Sequence, residues 1–542
     1  MARTLDNPLY YLANFERAMS WTGERYGDLL DERERAFLDC FNRLPPAARA
    51  LLVRMVMRKG PLFRESKLAY DEIGDTRAAA APLLAAGLVD ERPALNLDQL
   101  FGLLVRSEIA QAFPGVDAAL RKAEQLERLR PQWPQARCFD EWLPAARDRV
   151  YALRVGEVCD RLRLMFFGNL HQDWTEFVLA DLGILRYEQV DISPASRGFG
   201  CREDIEVYLR LHACREQIEA GAIPADIPQQ PLSNAWLEGR RQKLLFLAGQ
   251  QQERAAEFAA ARRIYAACRH EGARARHIRV LEKCGDHEQA HALAAAAWMQ
   301  PENEAERQQL ARMLPRLRRR VGLPPEAAPP AAAPEEFTLV LPRPVPFPGV
   351  ELAARDHLWR EDAPVHYVEN TLINSLFGLL CWDAVFAAVP GAFFHPFHAA
   401  PADLHSADFL PRRAAAFDTC LSQLDSGAYR DTIRRRHREK SGLQSPFVYW
   451  EAIGDTLLEQ ALDCLPPEHL KLWFTRLLQD IRANRAGMPD LIRFDLRERR
   501  YEMIEVKGPG DRLQDNQLRW IAFCARHGMP VRVCHVRWLE QE

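Results

Sequence analysis

The chain has 542 residues, 48% hydrophobic and 27% charged, with 72 basic and 75 acidic side chains and a formal net charge of −3. These proportions suit a water-soluble protein of three or four domains; phosphate contact would need local positive patches rather than a positive total, and no apolar run is long enough to span a bilayer. Residues 1–12 lack the charged-then-apolar pattern of a secretory signal. The twelve cysteines show no Cys-x-x-Cys spacing, and several (Cys268, Cys381, Cys524, Cys534) lie inside apolar runs, so they read as buried thiols in a reducing compartment.

Residues 1–90 read as several amphipathic helices followed by the apolar pair Leu88-Val89. Arg54, Arg58, Lys59, Arg64 and Lys67 cluster there, with Tyr70 close behind. Helices with a basic turn fit a winged-helix-like module that grips a duplex, the alternative being a solvated charged face. In residues 91–150 the segment LNLDQLFGLLVRSEIAQAF resembles a SAP-type helix pair. It carries one basic residue, Arg106, so a plain amphipathic helix packed on the preceding module is an equal reading. Residues 151–322 are helical, with alanine-rich helices expected over 255–268, 273–284 and 287–299, and a capping box expected between Asp286 and Gln289. The arrangement is tetratricopeptide-like with an irregular period, and a spacer is its simplest role. Residues 323–336 form a proline- and alanine-rich linker into a final domain, 337–542.

In that domain, 366–386 reads as one helix with Leu372, Ile373, Leu376, Leu380 and Ala384 on its apolar stripe. Glu369 lies three, four and seven residues before the first of these and so falls on the buried face, where a charge needs a partner; equally, it suits a helix start. A second basic run follows (Arg430, Arg434, Arg435, Arg436, Arg438, Lys440), then a third (Arg476, Arg482, Arg485) that leads into Gly487-Met488-Pro489-Asp490. Placement around that loop makes Arg434, Arg435, Arg436, Arg482 and Arg485 candidates for DNA phosphate contact.

After Asp490, an apolar run (Leu491, Ile492, Phe494), a polar turn at 497–500 and a second strand from Tyr501 to Val506 predict a hairpin. Alternation puts Ile504 and Val506 on one side and Glu505 and Lys507 on the other. Pairing would set Asp490 beside Glu505, and two adjacent carboxylates repel unless a divalent cation sits between them. Oxygen donors suit Mg²⁺ or Mn²⁺; the Val506 carbonyl could add a ligand, and Lys507 would orient water or offset charge on a phosphate. Gly508-Pro509-Gly510 is a turn, Asp511 and Gln514 suggest a capping box, a helix runs through Gln517 and Trp520, and a strand follows at Val531–Val536.

The strings GMPDL, IEVKGPGDRLQDNQLRWIAF and VRVCHV closely resemble the virus-type replication-repair nuclease (VRR-NUC) domain of the PD-(D/E)XK superfamily. The resemblance implies that Asp490 and Glu505 are metal ligands, Lys507 is the catalytic lysine, Gln517 reaches the site from its helix, and Glu369, ahead of LFGLLCWD, is a further metal ligand. With MRKGPLFRESKLAY, LNLDQLFGLLVRSEI and FFGNLHQDWTEFVLADLGI included, nearly the whole chain resembles the Fanconi-associated nuclease family. The implied fold is multidomain and mostly α, with winged-helix-like and SAP-like modules, a tetratricopeptide-like array and a C-terminal α/β nuclease domain with a mixed sheet. The implied activity is Mg²⁺- or Mn²⁺-dependent cutting of branched or flapped DNA near 5′ flaps, with 5′-3′ exonuclease action, in repair of interstrand crosslinks. No ubiquitin-binding zinc finger of the animal members is expected. A bacterial-type member would work in the cytoplasm at the nucleoid, a eukaryotic one in the nucleus. The rival readings are a Holliday-junction resolvase-type endonuclease and a non-catalytic DNA-binding repair scaffold.

Overall fold

A computed structural model describes residues 7–117, 119–192, 196–325 and 334–539. The chain divides into two compact units, the first ending at Arg186 but also taking Arg197–Ile205, the second comprising Tyr187–Ser196 and everything from Glu206. Among the described residues no helix is long and apolar enough to cross a membrane.

In the first unit the helices Tyr10–Tyr26, Glu32–Arg43 and Pro46–Val56 lead into a three-stranded antiparallel sheet. The second helix starts on a capping box between Asp31 and Glu34. Glu34 is fully buried and ionically satisfied, 2.7 Å from Arg161 and 2.6 Å from Arg202. The sheet order is β1 (Leu62–Arg64), β3 (Val150–Leu153), β2 (Val89–Asp90). Between β2 and the central β3 the chain makes the helix pair Leu97–Leu103 and Arg106–Ala112, with its own core around Leu100, Phe101, Phe113 and Trp142. The helices Gly156–Phe167 and Thr175–Asp181 pack back on Tyr10–Tyr26, where Phe15 meets Trp174 with ring centroids 5.0 Å apart. Packing therefore runs across the boundary expected at residue 150.

The second unit begins its helical array with Ala235–Arg254, Phe258–Ala267, Ala273–Lys283, His287–Met299 and Glu304–Arg320, each helix packed on the next. Gly249 allows a close approach, since a Cβ there would lie 2.6 Å from the Tyr265 ring. The expected Asp286–Gln289 capping box does not form: both side chains turn to the Arg262 guanidinium, whose charged donors bind a carboxylate more strongly than a backbone N–H does.

The five-stranded sheet of the same unit has the order β4 (Glu335–Leu341), β8 (Val531–Trp538), β7 (Arg500–Lys507), β6 (Leu491–Asp495), β5 (Val365–Tyr367). Pairings of β8 with its two neighbours are parallel and the other two antiparallel, a mixed sheet. Leu491, Ile504 and Val506 face Ala354 of the helix Val350–Leu358. Ile492, Phe494, Tyr501 and Met503 face the larger core, built with the helices Leu372–Leu380, Pro467–Gln479 and Asp515–Arg526. The array is tied to this domain by Arg312, bidentate on Asp515 at 2.6 and 2.8 Å, and by Arg519 on Gln308 at 2.8 Å.

Three local expectations change. Residues 366–386 are not one helix: 365–367 form β5, paired with Leu491–Arg493, and the helices Leu372–Leu380 and Trp382–Val385 follow a turn. The hairpin offers a ladder that captures the first residues, and Glu369 consequently lies in the turn rather than on a helix face. Asp511 does not open the next helix; its Oδ2 accepts from Gly508 N at 3.0 Å, and the helix starts at Gln514, whose capping partner is Gln517. The expected linker falls largely outside the described residues at 326–333, and β4 already begins at Glu335.

Candidate active site

The β6–β7 register pairs Leu491 with Ile504, so the preceding Asp490 and the following Glu505 project together on the face of the larger core. Asp490 is 6% exposed, Glu505 0% and Lys507 7%. Asp490 Oδ2 accepts from Val506 N at 2.8 Å. Glu505 Oε1 accepts from Gln517 Nε2 at 2.6 Å and lies 2.8 Å from Lys507 Nζ, while Lys507 also donates to Gln517 Oε1 at 3.1 Å. Gln517 is thus brought to the site by the Asp515–Arg526 helix and touches both charged groups of β7. Its Oε1 also accepts from Gln514 N at 2.8 Å, so the helix cap and the site share one side chain.

The Asp490 carboxyl is pushed up to about 6 and the Glu505 carboxyl up to about 8, burial being the largest cause; the charge of Glu369 raises both, that of Asp490 also raises Glu505, and Lys507 pulls both back. Glu505 Oε2 is buried with no hydrogen-bond partner. An orphaned carboxylate oxygen beside a second buried carboxyl is a donor set that fits a hard divalent cation. Among the described residues no three Asp, Glu, His or Cys side chains stand close enough together to hold one metal ion, and the charge of Glu505 is met by the Lys507 ammonium. Val506 contributes its N–H to Asp490.

Glu369 is half-buried in its turn, its Oε2 accepting from Tyr367 OH at 2.5 Å and its Oε1 from Asn370 Nδ2 at 3.1 Å. Sequence reasoning missed Glu351, in the first turn of Val350–Leu358, close enough that its charge also raises the Asp490 carboxyl. Its only sequence signal is an acid at a helix start, a common preference that carries no functional information by itself.

The basic candidates divide. Arg54 is held between the Tyr11 and Tyr70 rings (3.9 and 4.7 Å to the centroids) and paired with Glu72; Arg64 is held by Glu108 at 2.6 Å and Asp148 at 2.7 Å. Both guanidiniums are engaged inside the first unit. Arg58 donates to the Lys67 carbonyl at 2.8 Å, and Arg58, Lys59 and Lys67 are exposed. In the second unit Arg434 is paired with Glu459 and Arg436 with Asp383, whereas Arg435 is exposed. Lys440 of the same run is bonded to Glu188 at 2.7 Å. Arg476 is buried on Glu304 and over Trp520 and Phe523. Arg482 is half exposed, 3.9 Å from Glu271, and Arg485 donates to the Pro446 carbonyl at 3.0 Å and Tyr449 OH at 3.1 Å.

The VRR-NUC domain family matches residues 425–538, the FAN1 HTH domain 9–90, and the Fanconi anemia-associated nuclease SAP domain 94–142. The Fanconi-associated nuclease 1 homolog of Pseudomonas aeruginosa is 59% identical over 542 residues, 98% of this chain and 97% of the relative. The chain belongs to the Fanconi-associated nuclease family. Human Fanconi-associated nuclease 1 is 34% identical over 198 residues, 35% of this chain and 19% of the human protein. The crystal structure of paFAN1 bound to a 2-nt 5′-flap DNA with gap matches with a TM-score of 0.97 and 58% identity over 100% of both chains; the complex with a 1-nt 5′ flap gives 0.92 and 57%, over 99% of this chain and 100% of that one. This Fanconi-associated nuclease therefore has the multidomain, mostly helical fold its motifs imply: helix-turn-helix and SAP modules ahead of a VRR-NUC domain with a mixed sheet. Glu351 and Glu369 both precede the VRR-NUC match, so that motif alone does not reach them.

Proposed function

We propose that this nuclease hydrolyses phosphodiester bonds of DNA near 5′ flaps and branches in a divalent-metal-dependent reaction, with 5′-3′ exonuclease action on the same site, in repair of interstrand crosslinks. The observation that carries the reading is the fully buried Glu505, with one carboxylate oxygen lacking any donor, beside the buried Asp490. The paFAN1 complexes with 5′-flap DNA support the substrate class.

Asp490, Glu505, Glu369 and the Val506 carbonyl would hold one or two Mg²⁺ or Mn²⁺ ions. When bound, such an ion lowers the pKa of a water and stabilises charge on the leaving oxygen. Lys507 holds its ammonium at the Glu505 carboxylate, where it orients the attacking water and offsets charge building on the phosphate. Gln517 keeps the lysine and glutamate in register through its two amide atoms. Cleavage leaves a 5′-phosphate and a 3′-hydroxyl. Of the candidate DNA-contact residues, the exposed Arg58, Lys59, Lys67, Arg435 and Arg482 are available to phosphates, and substrate choice follows from bracing the duplex rather than from base-edge contacts.

The test is cleavage of labelled 5′-flap, 3′-flap, four-way-junction and linear DNA with Mg²⁺ or Mn²⁺ and with chelator, using Glu505→Ala as control. Preferred cutting of the 5′ flap that needs the metal and Glu505 is expected. Preference for the four-way junction would make the protein a resolvase-type enzyme, and absence of metal-dependent cutting would leave a DNA-binding scaffold.

A further inference from the structure

Two asparagines outside the acidic set join the segment that carries Glu369 to the loop that carries Asp490. Asn370 donates from Nδ2 to Glu369 Oε1 at 3.1 Å, and its Oδ1 accepts from Met488 N at 3.1 Å, two residues before Asp490. Its backbone has φ +54°, a left-handed conformation that asparagine tolerates better than other residues with a Cβ. One turn later, Asn374 Nδ2 donates to the Asn370 carbonyl at 2.7 Å and to the Arg485 carbonyl at 2.9 Å, so the helix start is bonded to the other end of the same loop. The main chain adds a third link, from Val368 N to the Asp490 carbonyl at 2.8 Å.

The energetics argue against a filler role for Asn374. Its amide is 1% exposed and its Oδ1 has no donor. A buried acceptor left unmade is destabilising, a cost leucine would not carry in a helix whose other residues are almost all apolar and all buried. At Asn370 glycine would meet the left-handed backbone without strain but would supply neither bond.

We propose that Asn370 and Asn374 are positioning residues that fix Glu369 and Asp490 in one frame, so that both carboxylates address the same divalent cation. The inference rests on the metal-dependent reading of this site. Asn370 acts directly on both: its Nδ2 sets the Glu369 rotamer while its Oδ1 sets the height of the Asp490 loop. Tyr367 OH closes the other Glu369 oxygen at 2.5 Å, so the carboxylate has a defined direction before any ion arrives. Partners that orient ligands in this way typically govern about 10–100-fold of metal affinity when removed.

The experiment is Mn²⁺ titration of the full-length protein, without DNA, followed by electron paramagnetic resonance, on wild type, Asn370→Gly, Asn374→Leu and Asp490→Ala. Single-turnover cleavage is then measured as a function of Mn²⁺. Asn370→Gly can keep the left-handed backbone but leaves the Met488 N–H without its acceptor, so it should fold with a thermal midpoint a few degrees below wild type. Its Mn²⁺ affinity should fall about 10-fold or more, and most of the cleavage rate should return at saturating Mn²⁺. Wild-type Mn²⁺ affinity in Asn370→Gly, with Asp490→Ala losing binding, overturns the clamp and leaves the metal reading standing. No Mn²⁺ binding by wild type overturns both. If Asn374→Leu fails to fold, Asn370→Gly alone decides.

Discussion

Gly487 offers the sharpest test of how the acidic loop and the Gln517 helix are fitted together. It has φ +92°, and a Cβ added there would lie 2.8 Å from the backbone carbon, Cβ and Cγ of Asn516. The neighbour next in sequence is Gln517, which bonds Glu505 and Lys507. Carbon atoms prefer about 3.5–4.0 Å, so Gly487→Ala must move the loop and the helix apart by roughly 0.7–1.2 Å. Left-handed strain on alanine costs about 1–2 kcal/mol and overpacking about 1–3 kcal/mol, less the 0.4–1 kcal/mol or so by which alanine disfavours the unfolded chain. The net is about 1–5 kcal/mol, which a domain of ordinary stability survives at 25 °C. A misplacement near 1 Å at a catalytic group is worth on the order of 100-fold in rate. Expected, then, are a lowered urea midpoint by tryptophan fluorescence and a single-turnover flap cleavage rate down about 100-fold. Gly427→Ala is the control: φ is +83° and nothing lies within 4 Å of the added Cβ, so it bears only the backbone strain and keeps its cleavage rate. Wild-type stability and rate in Gly487→Ala would refute the claim that this contact sets the position of Gln517.

Lys507→Ala should reduce cleavage by about 10²–10³-fold while flap affinity by fluorescence anisotropy holds, and a parallel loss of affinity would instead assign the lysine to DNA grip. Asp403→Ala strands the buried Arg413 guanidinium, now held at 2.8 and 2.9 Å and lying 4.4 Å from the Phe409 ring centroid. It should cost about 3–5 kcal/mol by urea denaturation, most of it recovered in Asp403→Ala/Arg413→Met; no recovery would show that the pair stabilises beyond mutual neutralisation. Arg54→Ala should lower the thermal midpoint of the first unit, because the guanidinium fills the space between Tyr11 and Tyr70. Lys59→Ala should leave that midpoint alone and lower the slope of log affinity against log salt by about 1, an outcome whose reversal would exchange the structural and DNA-facing roles of the two residues.

Period and spacing were enough to fix the β6–β7 hairpin, the opposite facing of Ile504–Val506 and Glu505–Lys507, and the approach of Asp490 to Glu505. Strand alternation is a local rule, and the register followed from the hydrophobic pattern. The family was legible for a similar reason, since its motifs are contiguous strings. What depended on contacts distant in sequence was not legible. Glu369 was read onto a helix because its neighbours have helical spacing, but pairing of 365–367 with β6 competes for those residues and only the assembled sheet makes that pairing available. Asp286 was read as a helix cap, yet Arg262 from the helix Phe258–Ala267, two helices earlier, takes its carboxylate. Arg54 and Arg64 were indistinguishable in sequence from Lys59 and Lys67; the fold brings Glu72, Glu108 and Asp148 to the first two and leaves the others in water. Glu351 and the two asparagines joining Glu369 to Asp490 were invisible for the same physical reason: a side chain's role is set by which partner reaches it, and partners 100 or more residues away are chosen by packing, not by the local chain.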